Sequence, residues 1–200
     1  MVAGTTLSEL SRVGKEFLRR RQGACISLMN TTRQENRPEK ISIPDIQQLP
    51  LTHQATIPED YLDSMGHMNV MWYTHLFAHA MGGIFKRIGM DRDYFVKNQS
   101  GSFALKQYVN YLVEVRFGEQ ISIHTRLLGR SLKRIHLMHF MIKDNGDCLA
   151  STSEVLLTHI DMRIRRSSPF FPDVSNNIDR LLAEHLSLSW PAPFAGPIQP

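Results

Sequence analysis

The chain has 200 residues, 42% of them hydrophobic and 21% charged, which is the composition of one ordinary globular domain with a tail. It contains no apolar run of about 18 residues, so a membrane-spanning helix is excluded. The net charge is +4, but residues 1–40 hold eight of the 23 basic and four of the 19 acidic residues, so the rest is balanced and has no basic stripe for nucleic acid.

Residues 1–50 are predicted to form a leader, which carries the excess of basic residues that the rest of the chain lacks. Thr6 and Glu9 have the spacing of a capping box, and apolar residues follow at helical intervals. The arginine excess allows an organelle-targeting peptide, but such peptides contain few acids, and Glu9 and Glu16 argue against one. We expect a flexible extension on a cytoplasmic protein, with targeting as the alternative.

The predicted folded domain, residues 51–188, begins with a strand and a long helix. The pattern of His53–Tyr61 predicts the strand, and residues 63–67 form a turn. From Asn69 to about Ile88 the sequence predicts a helix that is apolar on nearly all sides, which other structure must therefore wrap. Gly82-Gly83 either weakens this helix or lets a strand approach it closely.

Four strands and a closing helix are predicted after the long helix. Alternating apolar and polar residues mark strands within residues 103–111, 121–127, 134–143 and 148–160, with an Asn145-Gly146 hairpin turn between the last two. An amphipathic helix follows over residues 174–186, and residues 189–200 are a proline-rich tail. This order predicts an α+β fold with the long helix on one face of a five-stranded antiparallel sheet.

The segment that carries chemistry is the strand-to-helix junction, Asp63-Ser64-Met65-Gly66-His67-Met68-Asn69-Val70-Met71-Trp72-Tyr73. A helix that begins near His67 has unpaired N–H groups at the positive end of its dipole, and these can polarise a carbonyl. Asp63 suits a general base or a nucleophile beside them. However, a single aspartate before a helix is more often only an N-cap, and Asn69 also suits capping.

In this segment the chain resembles the 4-hydroxybenzoyl-CoA thioesterase family, through Asp63, Gly66, His67, Asn69 and Tyr73. Within the family it looks most like thioesterases associated with carnitine and betaine breakdown. The resemblance implies a hotdog fold, in which the sheet wraps the central helix, and hydrolysis of acyl-CoA without a cofactor or metal. It also implies a homodimer or homotetramer with the active site between subunits, and neither a nucleic-acid nor a membrane partner.

The resemblance also implies roles for individual residues. Asp63 is the general base or nucleophile, the amide of Val70 binds the oxyanion, and His67 and Asn69 orient the water or the carbonyl. Contacts with substrate or coenzyme A are expected from Gly66, Trp72, Tyr73, Tyr111, Glu114, Arg130, Lys133 and Arg134.

The acyl group is left open by the sequence. Aromatic faces near the junction, with Glu114 as a counter-charge, suit a trimethylammonium group. A neutral fatty acyl chain is equally suited by a methionine-rich wall made of Met68, Met71, Leu76 and Phe77.

Two alternative functions share the fold. A hydratase or dehydratase pairs Asp with His, as Asp63 and His67 are spaced, but those enzymes resemble Asp-x-Asn-Pro-x-His, and no Asn-Pro occurs here. The other alternative is a non-catalytic acyl-binding protein.

No metal site is predicted. His75 and His79 have the i, i+4 spacing of a zinc pair, but no third ligand is evident, so we expect interior histidines. His136 and His139, three apart on a strand, are expected to face opposite sides.

Overall fold

The computed structural model describes residues 41–143, 148–191 and 198. Its helices are α1 (Ile43–Gln47), α2 (Val70–Ile88), α3 (Arg92–Asn98) and α4 (Pro172–Leu186), with a 3-10 turn at Glu59–Tyr61. Its strands are β1 (Leu51–Thr56), β2 (Ser100–Tyr111), β3 (Gln120–Arg130), β4 (Arg134–Lys143), β5 (Cys148–Asp161) and β6 (Arg166–Ser167). Among the helices of these residues, none has both the length and the apolar character needed to span a bilayer.

The strands form one antiparallel sheet in the order β1-β3-β4-β5-β2, and the two-residue β6 pairs with the end of β5. α2 packs against one face of this sheet. The apolar side chains that meet there are almost fully buried: Leu76, Phe77, Ala80, Ile84 and Ile88 from the helix, with Ile121, Ile123, Leu137, Met141 and Val155 from the strands. The predicted α+β arrangement, with a wrapped central helix, is confirmed.

β1 approaches α2 closely at Gly83, as the glycine pair allowed. A Cβ atom on Gly83 would lie 2.1 Å from the carbonyl oxygen of Thr52, whereas one on Gly82 would meet nothing within 4 Å. The close approach therefore depends on Gly83 alone.

The opposite face of the sheet is covered by segments that come before and after the predicted domain. Ile46 and Leu49 pack with Trp190 against side chains of β4, namely Met138, Phe140 and Ile142. The prediction that residues up to 50 belong to a flexible leader is therefore wrong for residues 43–49, because burying Ile46 and Leu49 fixes that stretch on the sheet. Residues 1–40 and the Asn145-Gly146 turn lie outside the described residues.

Two boundaries differ from the predicted ones. β1 ends at Thr56 rather than near Tyr61, because the proline at 58, which has no N–H to donate to a ladder, begins the 3-10 turn. α2 begins at Val70, one residue after the Asn69 start of the predicted helix and three after the start near His67 used for the oxyanion argument, because the bridge between Leu62 and Met68 keeps the chain extended until then. The predicted sequence elements also lacked α3, whose cap is Asp91: its Oδ1 accepts the Tyr94 N–H at 2.9 Å.

Candidate active site

The turn before α2 is closed by backbone hydrogen bonds. The Asp63 N–H donates to the His67 carbonyl oxygen and the Gly66 N–H donates to the Asp63 carbonyl oxygen, each at 3.0 Å. Gly66 has φ of +81°, a left-handed conformation that costs glycine nothing, and a Cβ there would have open space around it. The turn therefore requires glycine for its backbone conformation.

The Asp63 carboxylate does not cap the helix. Its Oδ1 accepts the Met65 N–H at 2.8 Å, and its Oδ2 lies 3.4 Å from Nδ1 of His67. The cap is Asn69, whose Oδ1 accepts the Met71 N–H at 3.0 Å. Asp63 keeps about a quarter of its side chain exposed, at 25%. The N-cap interpretation of Asp63 is thus wrong, and for Asn69 capping is the role the geometry gives.

The first amide of α2 belongs to Val70, and it is unpaired within the part of the chain that the structure describes. The next two N–H groups are occupied: that of Met71 by the Asn69 side chain and that of Trp72 by the Asn69 carbonyl oxygen at 2.9 Å. The Val70 residue is 59% exposed. An open amide at the positive end of a 19-residue helix can stabilise a developing oxyanion.

Tyr73 and Tyr111 meet on the helix side of the sheet. Their ring centroids are 5.0 Å apart with the planes at 83°. Burial raises the pKa of Tyr73 to about 12, although a hydrogen bond from the Val115 backbone acts in the opposite direction. The Tyr73 hydroxyl is therefore protonated at neutral pH, and the 45% exposed Tyr111 is the more accessible ring of the two.

Trp72 makes a contact that the sequence did not indicate. Its indole stacks on the ring of Tyr61, with centroids 3.7 Å apart and planes at 6°. The Tyr61 carbonyl oxygen also accepts the Asn69 N–H at 3.0 Å. Tyr61, two residues before Asp63, was predicted only as the end of a strand; its aromatic character was the available signal for a role in the junction.

Two of the charged residues predicted to contact the substrate are engaged within the protein. The Glu114 carboxylate accepts a hydrogen bond from Nε of Arg116 at 3.0 Å, so a nearby cation already neutralises it. Arg130 donates from Nε to Asp179 at 2.7 Å and from Nη2 to Ser175 at 2.9 Å. This guanidinium lowers the pKa of Asp179 and fastens α4 to β3.

Lys133 lies in the turn between β3 and β4 and Arg134 is the first residue of β4; we call the two the basic turn. Neither has an ion-pair partner among the described residues. The Lys133 carbonyl oxygen accepts the His159 N–H, and His159 pairs with Ser102 near the start of β2. The Asp63 turn lies instead near the end of β2, because the Met68 N–H donates to Val115 just after that strand. The nine residue steps of strand from Ser102 to Tyr111 correspond to roughly 30 Å. Within one chain, the basic turn and Asp63 are therefore too far apart to contact the same part of a substrate.

The histidines fall into buried and exposed groups. His139 is fully buried beside Thr125, and burial lowers its pKa to about 3, while His136 contacts Glu154 at 2.7 Å on the other side of β4. His75 and His79 are exposed, so the prediction that they are interior is wrong. The two rings lie on the side of α2 next to the edge strand β1, where His79 stacks on His53 with centroids 5.1 Å apart. Across the described ranges, no group of three or more potential metal ligands occurs.

Comparisons with known proteins agree with this architecture. The family model described as the thioesterase-like superfamily matches residues 57–178. The betainyl-CoA thioesterase of Pseudomonas aeruginosa is 29% identical over 141 residues, which cover 70% of this chain and 88% of that protein. The L-carnitine dehydrogenase/betainyl-CoA thioesterase of Agrobacterium fabrum is 30% identical over 66% of this chain, which spans only 27% of that longer relative.

Solved structures show the same fold. A Staphylococcus aureus protein in complex with CoA superposes with a TM-score of 0.66 at 25% identity, over 74% of this chain and 97% of its own. The DHNA-CoA thioesterase of the same organism superposes with a TM-score of 0.61 at 19% identity, over 66% of this chain and 89% of its own. The predicted hotdog fold is confirmed.

Proposed function

Because this chain belongs to the thioesterase-like superfamily, we propose that it hydrolyses an acyl-coenzyme A thioester to a free acid and coenzyme A. The observation that carries the proposal is that the Asp63 carboxylate does not cap the helix and is partly exposed. Asn69 caps the helix in its place, and one Asp63 oxygen faces the His67 ring from a partly exposed position. A carboxylate with no capping task, in the turn that leads into a helix with an open first amide, is suited to acyl transfer.

The proposed reaction uses Asp63 as a general base or as a nucleophile. As a base, it takes a proton from water while the water oxygen attacks the thioester carbonyl; the C–S bond then breaks and the proton passes to the departing thiolate. As a nucleophile, its oxygen attacks the thioester carbonyl and the C–S bond breaks, which gives a mixed anhydride and the coenzyme A thiolate. Water then cleaves the anhydride to the free acid and the Asp63 carboxylate, and the proton released in this step passes to the thiolate. In both routes the amide of Val70 stabilises the oxyanion, and His67 orients the carboxylate from 3.4 Å.

The acyl group that we propose is betainyl, and two observations support it. The relatives that match over most of this domain are named for betainyl-CoA. The alternative methionine-rich wall loses support, because Met68, Leu76 and Phe77 are 1–2% exposed and packed in the core. The accessible ring of Tyr111 is suited to a trimethylammonium group. Since Arg116 neutralises Glu114, aromatic contact rather than a counter-charge provides the recognition.

We extend the proposal to self-association through β2. This strand has 12 residues at the edge of the sheet, and its exposed apolar side chains are Phe103, Leu105, Tyr108 and Tyr111. An edge of this length and character favours pairing with a second strand. Homodimer formation, alone or within a homotetramer, would cover it.

Antiparallel pairing of two β2 strands also explains the separation of the basic turn from Asp63. A twofold axis at the middle of β2 places the start of one strand beside the end of the other. Lys133 and Arg134 of one chain then approach the Asp63 turn of its partner, where they would bind the phosphates of coenzyme A.

The test is release of free thiol from betainyl-CoA, butyryl-CoA and octanoyl-CoA, followed with a thiol reagent on the full chain. We expect the largest kcat/KM with betainyl-CoA. A preference for the neutral acyl groups would reject betainyl while keeping the thioesterase, and no release from any of the three would contradict the proposed function.

The contact between Asp63 and His67 also favours a second candidate, an acyl-CoA hydratase, because such enzymes use an Asp–His pair for proton transfer. Crotonyl-CoA distinguishes the two reactions. A hydratase adds water to its double bond and releases no thiol, and that result would replace the thioesterase proposal.

A further inference from the structure

Two histidines on the exposed face of α2 direct their rings at each other. Nε2 of His79 lies 3.1 Å from Nε2 of His75. Side chains four residues apart stand one above the other on a helix, so this contact follows from their spacing. One imidazole must donate its Nε2 proton to the lone pair of the other, and both nitrogens therefore lie at one small, solvent-accessible point.

Neighbouring rings hold both imidazoles in place. His75 lies edge-on to Trp72, with centroids 5.2 Å apart and planes at 84°. His79 stacks on His53 of β1, with centroids 5.1 Å apart and planes at 17°. Because each ring has an aromatic partner, that of His75 on α2 itself and that of His79 on β1, the two nitrogens keep their mutual position without a ligand.

The spacing of the two nitrogens suits a metal ion. Imidazole nitrogen binds Zn²⁺ at about 2.0–2.1 Å, so a cation bound to both nitrogens, 3.1 Å apart, would subtend an N–metal–N angle of about 98°. This value lies between the roughly 90° of octahedral or square-planar sites and the roughly 109° of tetrahedral ones. Chelation requires both Nε2 lone pairs to point at the ion, so the donating ring transfers its proton from Nε2 to Nδ1 and both rings turn from the direction of their mutual hydrogen bond.

We propose that His75 and His79 form a binding site for a divalent transition metal of the class of Ni²⁺, Cu²⁺ and Zn²⁺, the ions that imidazole prefers. No third protein ligand converges on the pair in the described residues, so water completes the coordination. His53 supports the ring of His79 by stacking and is not a ligand. His75 and His79 lie about one and two turns beyond Trp72 along α2, and the proposed hydrolysis does not use them.

The histidine content of the chain makes the site testable. Five of the nine histidines are buried: His124, His136, His139, His159 and His185. Among the exposed and half-buried ones, only His75 and His79 have imidazole nitrogens within hydrogen-bond distance of each other. A titration of the full chain with NiCl₂ in a non-chelating buffer therefore reports mainly on this pair.

We expect calorimetry to show one Ni²⁺ site per chain, weakened at least tenfold in His75→Ala and in His79→Ala. His53→Phe keeps the stacking ring without its nitrogens and should bind within threefold of the parent. MgCl₂, a hard cation that prefers oxygen ligands, should give no binding at the same concentrations. Cu²⁺ bound to the parent should show two equatorial nitrogens by electron paramagnetic resonance, and one in either alanine variant.

Three outcomes would overturn the proposal. These are the absence of a one-site isotherm with the parent, Ni²⁺ affinity in both alanine variants within threefold of the parent, or a tenfold loss in His53→Phe. Circular dichroism of each variant separates loss of the site from loss of the fold, since the exposed alanine substitutions should leave the helix content unchanged.

Discussion

The indole of Trp72 lies flat on the phenol ring of Tyr61, with centroids 3.7 Å apart and planes at 6°. Trp72 is in the first turn of α2 and Tyr61 is two residues before Asp63, so the stack ties the Asp63 turn to the helix whose first amide has no partner among the described residues. We therefore expect it to set the position of the carboxylate relative to that amide.

The stack predicts coupled kinetic effects. Trp72→Leu keeps the apolar helix surface but removes the ring, and we expect kcat for the best substrate to fall about tenfold because the Asp63 turn becomes looser. Tyr61→Leu should have a similar effect, and the double variant should be no worse than either, since both remove one interaction. Additive losses of kcat would contradict a shared positioning role.

Removal of the Asp63 carboxylate tests the chemistry directly. Asp63→Asn retains the size of the side chain and an oxygen for the Met65 N–H, but it cannot accept a proton or attack a carbonyl. We expect kcat to fall about a hundredfold or more with an unchanged thermal midpoint. Ser64→Ala, in the same exposed turn, is the matched control and should keep its kcat. Activity of Asp63→Asn within threefold of the parent would reject the assignment.

Alanine substitutions of the neighbouring cations Arg130 and Lys133 should have different effects, the first on the stability of the protein and the second on substrate binding. Arg130→Ala breaks the contacts with Asp179 and Ser175, so we expect a loss of about 1 kcal/mol in stability with little change in KM. Lys133→Ala should leave stability unchanged and raise KM for acyl-CoA severalfold, because this amine is proposed to reach the coenzyme A phosphates of the partner. Equal KM values for parent and Lys133→Ala would remove the basic turn from the proposed site.

The glycine pair of α2 gives a matched test of packing. Gly82→Ala adds a Cβ into open space and should stabilise the protein by about 0.5–1 kcal/mol, the usual helix preference of alanine over glycine. Gly83→Ala forces a Cβ to within 2.1 Å of the Thr52 oxygen, and we expect a loss of about 3 kcal/mol as β1 moves away. Urea unfolding measures both, and similar midpoints for the two variants would show that the strand does not approach there.

Burial of His139 predicts a dependence of stability on pH. Its folded pKa, about 3, lies below the ordinary value of 6.5, so the unfolded chain binds the proton more readily between those values. Stability is therefore complete above about pH 6.5 and falls as the pH decreases toward 3, by up to about 1.4 kcal/mol per pH unit for one group. In His139→Asn the difference in unfolding free energy between pH 7 and pH 5 should be smaller by up to about 2 kcal/mol. An unchanged difference would show that other groups cause the dependence.

The sequence by itself determined the order of the main elements and indicated the segment that is proposed to carry the chemistry. Helical and alternating patterns depend on near neighbours, so α2, the strands after it and α4 were predictable to within a few residues. The junction motif placed Asp63 and Gly66 before the helix and Val70 at its start, because its spacing is local. Even the close approach of a strand was indicated by the glycine pair in α2.

Only the tertiary structure decided which side chains are engaged in contacts within the protein and which are exposed. Asn69 rather than Asp63 caps α2 because the Leu62–Met68 bridge delays the helix start, and Arg130 is engaged because Asp179 packs beside it from 49 residues away. The sequence pattern likewise did not indicate that Ile46 is buried on the face of the sheet opposite α2, or that His75 on α2 is exposed. Each of these outcomes depends on residues that are distant along the chain. The spacing of neighbouring residues in the sequence does not indicate which distant side chains will pack together.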